Sequence, residues 1–161
     1  IKKDYPDSDV YITPTLKEMR QVAATGVEVV ACQVTGQARP NGEKLEEIIP
    51  QFREEFPNTL LMADTGDLND VKEANRLGFD IIGTTMHGYT PTTKGMNIAD
   101  NDFEYLKEVL KVAEHPVIAE GKIDLPQKAK RVLELGVHAL VVGGAITRPL
   151  EIANKFMDAI K

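Results

Sequence analysis

Lys2 offers an amine, Asp64 and Glu120 offer carboxylates, and Gly143-Gly144 with Arg148 offers a seat for an anion. An amine beside carboxylates suits moving a proton at a carbon next to a carbonyl. The stretch Val137 to Pro149 reads VHALVVGGAITRP, an apolar run, a glycine pair and then the amphipathic segment Leu150 to Lys161. A strand end, a glycine pair and a helix start bring unpaired N–H groups and a helix dipole to one point. Arg148 adds a fork of donors suited to phosphate. The same glycines also serve an ordinary βα turn. Asp64 is equally suited to cap the helix after it, Glu120-Gly121 to form a turn, and Lys2, Lys94 and Lys122 to be solvated. His87, His115 and His138 lack metal-ligand spacing, so no metal is expected. His115 and His138 read as structural, whereas His87 lies in a long loop within reach of a substrate.

These residues need elements that bring them together. Thr13-Pro14-Thr15 opens a helix from about Leu16 to Ala24, with Thr15 and Glu18 in capping-box spacing. Further helices are predicted near 43–55, 69–77, 102–113 and 125–135. Strands are predicted at 27–32, 59–63, 79–85, 116–119 and 137–142. Gly26, Gly78 and Gly136 each stop a helix directly before an apolar strand, and no hairpin signal joins two strands. That pattern gives a parallel sheet covered by helices. No G-x-G-x-x-G follows the first strand, which argues against a doubly wound dinucleotide fold. Gln33, Asp64, Thr84-Thr85, Glu120 and Gly143-Gly144 each close a strand, as the active rim of a (β/α)8 barrel requires. The chain falls short of the usual barrel length of about 200–250 residues. The expected fold is therefore an incomplete TIM barrel running from about the end of strand three through helix eight. Residues 1–161 are read as one domain lacking its N-terminal portion, since the chain opens on Ile1 without a Met. An unclosed barrel exposes sheet edges, so this span alone is expected to be poorly stable or inactive unless a partner chain closes it.

Composition narrows the partners. The chain is 42% hydrophobic and 27% charged with a formal charge of −6, which fits one soluble globular unit with a sizeable core. The negative balance argues against nucleic acid or an anionic membrane. The single cysteine, Cys32, lies in an apolar run and excludes a disulfide framework. With no apolar stretch of transmembrane length, a cytoplasmic setting is expected. From the residues alone, the reading stops at an α/β enzyme acting on a phosphate-bearing ligand.

The segments IKKDYPDSDVYITPT, MAD, GFDIIGTTMHGYT, VIAEGKI and GVHALVVGGAITRP carry the reading further. Together they resemble the N-acetylmannosamine-6-phosphate 2-epimerase family over nearly the whole chain. The resemblance implies a cofactor-independent (β/α)8 barrel that inverts C2 of N-acetylmannosamine 6-phosphate in sialic acid breakdown. It implies Lys2, ending the third barrel strand, and Glu120 as catalytic residues, and Asp64 as a ligand of sugar hydroxyls. Thr84, His87 and Arg39 complete the candidate substrate-binding set. Gly121, Gly143, Gly144 and Arg148 form the candidate phosphate-binding set. Glu120 would handle the ring proton, and Lys2, held neutral by desolvation or a cationic neighbour, would remove the C2 proton. The chain departs from the family at Gln33, where an Asp is usual, and at Thr65-Gly66-Asp67. The expected partner is a small phosphosugar, and a homodimer is one candidate assembly. A non-catalytic phosphosugar-binding remnant and another phosphate-binding barrel isomerase are the competing readings.

Overall fold

Helices and apolar strands alternate from Leu16 to Leu140, within residues 1–161 that a computed structural model describes in full. In chain order the elements are α1 (Leu16–Ala23), β1 (Val29–Gln33), α2 (Leu45–Glu55), β2 (Leu60–Asp64), α3 (Leu68–Arg76) and β3 (Ile81–Gly83). They continue with α4 (Asp100–Val112), β4 (Val117–Ala119), α5 (Pro126–Glu134), β5 (Ala139–Leu140), α6 (Gly144–Thr147) and α7 (Pro149–Ala159). All five strands pair in parallel in the order β1-β2-β3-β4-β5. A doubly wound sheet reverses its strand order at a switch point, and this sheet never does. Strictly sequential parallel strands make an arc of a (β/α)8 barrel.

The two faces of the arc differ. On the helix-covered face, Val30 and Cys32 of β1, Leu61 and Ala63 of β2, and Ile82 of β3 are fully buried. They join a hydrophobic cluster of 24 residues with Met19, Ile48, Phe52, Val71, Phe79, Leu106 and Val132 from the helices. On the concave face, Val29 and Leu60 are exposed at the strand starts, and burial deepens only toward Gln33 and Asp64 at the strand ends. Side chains alternate along a strand, so residues 29, 31 and 33, then 60, 62 and 64, then 81, 83 and 85 share the concave face. The sheet therefore aims its polar strand ends into the arc.

Two local expectations change. Thr15 and Glu18 do not form a capping box, because the Thr15 hydroxyl donates to the Glu18 carboxylate and accepts no hydrogen bond from the helix backbone. Lys3 Nζ and Tyr5 OH also donate to that carboxylate, each at 3.0 Å, so Glu18 anchors the leading segment instead of the helix start. A capping box does open α3, with Asp67 as N-cap and Asp70 as its reciprocal partner. Asp64 is thereby free of the capping role that its position allowed.

Lys2 does not extend the parallel sheet. It bridges antiparallel to Ile12, and Lys3 N–H donates to the Tyr11 carbonyl at 2.9 Å. Gln33 locks this hairpin-like segment to the end of β1. Its backbone N–H donates to the Ile12 carbonyl, and its side-chain Oε1 accepts from the Tyr11 and Ile12 amides at 3.0 and 3.3 Å. Its Nε2 donates to Thr35 Oγ1 at 3.0 Å and to Gln37 Oε1 at 3.2 Å.

Candidate active site

A cavity of about 480 Å³ opens at the carboxyl rim of the arc. Lys2, Glu120, Gly121, Gly143, Gly144 and Arg148 all line it, so segments from both ends of the chain meet around one space. Lys2 is exposed, with Nζ 5.8 Å from the centre of the Tyr11 ring. The burial expected to desolvate this amine is absent. Gly121 has φ +108°, a conformation that glycine adopts without strain, and it turns the chain sharply after β4. Gly143 N-caps the short helix α6, and Arg148 Nη1 sits 2.9 Å from Glu151 Oε1 in an exposed ion pair.

Asp64 lies behind the lining residue Thr85 and does not itself line the cavity. It is 4% exposed, and burial above all raises its carboxyl to about 7. The negative charge of Glu120 pushes the same way, while a hydrogen bond from Thr85 and the charge of Lys2 oppose it. The Thr85 hydroxyl lies 2.6 Å from Asp64 Oδ1 and 3.4 Å from Glu120 Oε2. Gly83 is in register with Asp64, and its missing side chain leaves the room that this carboxylate occupies.

Three predicted substrate ligands lie elsewhere. Thr84 points to the helix-covered face, and its hydroxyl donates to the Glu120 carbonyl at 2.8 Å and accepts from the Glu120 amide at 2.9 Å. It stitches the end of β3 to the end of β4 and lies outside the cavity wall. His87 is buried, stacks on Tyr105 with ring centres 3.8 Å apart, and donates from Nδ1 to the Gly66 carbonyl at 2.9 Å. Burial pushes its pKa down, so it sits there as a neutral structural ring. Arg39 is buried too, and its guanidinium donates to the carbonyls of Pro14, Gln33 and Thr13. It fastens the start of α1 to the end of β1. His115 and His138 also lie away from the cavity.

Several lining residues were missed. Thr85 follows from strand alternation, since Ile81, Gly83 and Thr85 share the face of Asp64. Lys122, read as solvated, lines the cavity and donates to the Met96 carbonyl at 3.0 Å, which ties the long loop to the rim. Tyr11 and Tyr89 contribute aromatic walls that no sequence spacing marked. No three His, Cys, Asp or Glu side chains gather as a metal-binding set.

Sequential parallel strands with polar groups around a cavity at their carboxyl ends define a (β/α)8-barrel type of enzyme. Residues 1–161 match the family described as putative N-acetylmannosamine-6-phosphate epimerase, and the chain belongs to that family. A putative N-acetylmannosamine-6-phosphate 2-epimerase of Pediococcus pentosaceus is 74% identical over 160 residues, covering 99% of this chain and 70% of the relative. Its counterpart in Lactiplantibacillus plantarum is 72% identical over 159 residues, with 99% and 70% covered. The solved N-acetylmannosamine-6-phosphate 2-epimerase of Clostridium perfringens superposes with a TM-score of 0.90 at 43% identity. That superposition covers 99% of this chain and 68% of the solved one. No helix is long and apolar enough to cross a membrane.

Proposed function

We propose that the chain epimerises N-acetylmannosamine 6-phosphate to N-acetylglucosamine 6-phosphate, a step of amino-sugar breakdown, with the cavity at the carboxyl rim as its active site. The observation that carries this is the meeting of Lys2, Glu120 and the Gly143-Gly144-Arg148 edge around one space, in a member of this family. The phosphate lies against Gly121, Gly143 and Gly144, with Arg148 turning from Glu151 to meet it. The sugar extends toward Asp64, which binds a hydroxyl. As the pyranose opens, Glu120 gives a proton to the ring oxygen, the C1–O bond of the ring breaks and the C1 hydroxyl loses its proton to solvent, which exposes an aldehyde at C1; ring closure reverses these transfers. The aldehyde acidifies the C2 hydrogen, Lys2 removes it, and return of a proton to the opposite face inverts the centre. Substrate filling the cavity displaces water from around Lys2. Thr84, His87 and Arg39 act by holding the rim rather than by touching sugar.

The shared core of 24 buried residues supports reading residues 1–161 as one domain. The buried thiol of Cys32, pushed up to about 11 by desolvation, suits a cytoplasmic enzyme with no disulfide. Phe156 and Met157, exposed on α7, and Ile160 directly after it support a homodimer.

Proton NMR of N-acetylmannosamine 6-phosphate in heavy water tests the reaction. Epimerisation with deuterium entering C2 is expected. Epimerisation without exchange would reject the proton-transfer route, and binding without turnover would leave a phosphosugar-binding protein. Lys2→Met should abolish exchange, and retained exchange would reassign the base.

A further inference from the structure

One hydroxyl stands between the two carboxylates of the site. Thr85 Oγ1 is 2.6 Å from Asp64 Oδ1 and 3.4 Å from Glu120 Oε2, and Thr85 lines the cavity with Glu120. A hydroxyl has one hydrogen and two lone pairs, so it donates to one carboxylate at a time and accepts from the other only when that one is protonated. We propose that Thr85 is a positioning residue that relays a proton between Asp64 and Glu120, so that Glu120 holds a proton for ring opening and can pass it back to Asp64 once ring closure has returned it. This rests on the epimerase function proposed above, in which Glu120 exchanges a proton with the sugar ring.

The step balances. The carboxyl proton of Asp64 passes to Thr85 Oγ1 while the original Thr85 proton passes to Glu120 Oε2. One O–H bond breaks and one forms at the hydroxyl, one carboxylate appears at Asp64, and one is consumed at Glu120. The reverse passage returns the proton.

The geometry around Asp64 suits a proton store. Asp64 is only 4% exposed on the concave face, and Gly83 leaves its carboxylate space beside β3. The groups that face Asp64 are Glu120 just after β4, and Lys2, Tyr11 and the amino end from the leading segment, while Cys32 of β1 acts on it from the opposite face of the sheet. With its carboxyl raised to about 7, Asp64 has both protonation states at hand near neutrality. Thr84 fixes the other end of the relay, because its hydroxyl clamps the backbone of Glu120 on both sides of the peptide.

Thr85→Val removes the hydroxyl and keeps the branched shape, and Thr85→Ser keeps the hydroxyl. With N-acetylmannosamine 6-phosphate, Thr85→Val is expected to lose roughly tenfold or more in kcat with little change in KM. The near-neutral limb of its pH–rate profile should flatten, and Thr85→Ser should restore both. Carboxylate ¹³C NMR of the unliganded protein reads Asp64 without turnover. There Thr85→Val should raise its proton affinity by roughly tenfold, since a donor to the ionised form is gone. A Thr85→Val protein with the unsubstituted pH profile, or with an unmoved Asp64 titration, overturns the relay and leaves the epimerase function standing. Failure of the unsubstituted protein to epimerise overturns the function and the relay with it.

Discussion

Gly83 lies beside Asp64 in the β2–β3 register, and a Cβ on it would come within 3.3 Å of Asp64 Oδ1 and 2.4 Å of Met62 Cε. The methionine end can swing aside, but the Ala63 carbonyl, also 3.3 Å away, cannot. Gly83→Ala should therefore cost about 1–3 kcal/mol of stability through overpacking. Its larger effect should be on turnover, because the Asp64 carboxylate must shift. A fall of roughly tenfold in kcat/KM is expected, measured alongside a denaturant melt.

The charge of Asp64 should be visible in stability. Its folded pKa is raised to about 7, so between about pH 4 and pH 7 the folded chain holds a proton that the unfolded chain has released. Stability from this group therefore falls as pH rises through that window. Asp64→Asn should remove the loss, giving a gain in unfolding free energy that grows from pH 4 to pH 7 and reaches a few kcal/mol, in order of magnitude. A gain that is flat with pH would contradict the assignment.

Glu18 gives the opposite slope. Burial, the largest single influence, pushes its carboxyl up, but hydrogen bonds from Thr15, Lys3 and Tyr5 together overcome it and hold the group below its ordinary value. Its stabilisation is present above the unfolded pKa and is lost as pH falls through the folded one. Lys3 and Lys2 are neighbours in an extended segment and point to opposite sides, so the Glu18 anchor also steadies the lysine that lines the cavity. Glu18→Ala should cost about 1–3 kcal/mol and lower kcat more than it raises KM. Circular dichroism melts and steady-state kinetics read the two effects.

Arg39 and Arg148 should separate cleanly. Arg39→Met leaves three buried carbonyls without a donor, so about 2–4 kcal/mol of stability should go. The KM of the surviving folded protein should hardly move. Arg148→Gln touches only an exposed ion pair, so its melt should stay within about 0.5 kcal/mol of the unsubstituted protein. Its KM for the phosphosugar should rise roughly tenfold or more. Titration calorimetry against inorganic phosphate gives a second reading of Arg148.

The sheet was legible because its signals are local. Gly26, Gly78 and Gly136 stop their helices, and β-branched runs follow at once, so element order and parallel pairing came out of the sequence directly. The rim residues Asp64, Glu120 and Gly143 were visible as polar or flexible groups closing apolar runs. The choice of Thr84 over Thr85 failed on facing: two adjacent threonines look alike in composition, and only the count from Gly83 separates the inward one from the outward one. Arg39 and His87 resisted for another reason. Their partners, the carbonyls of residues 13, 14 and 33 for one and Gly66 with Tyr105 for the other, come together only in the folded chain. Sequence shows a polar side chain in a loop. It does not show that backbone oxygens have already claimed it.

Gln33 binds its neighbours with a fixed polarity. Thr35 receives a hydrogen from the Gln33 amide and passes its own to Gln37, 2.9 Å away. An aspartate at position 33 could supply no hydrogen, so Thr35 would have to reverse direction and the Gln37 amide would have to flip. The three side chains are therefore coupled through one directed chain of hydrogen bonds. A carboxylate introduced at position 33 alone would add negative charge next to Asp64 and unsettle the 35–37 loop together, and compensation would be expected first at Gln37.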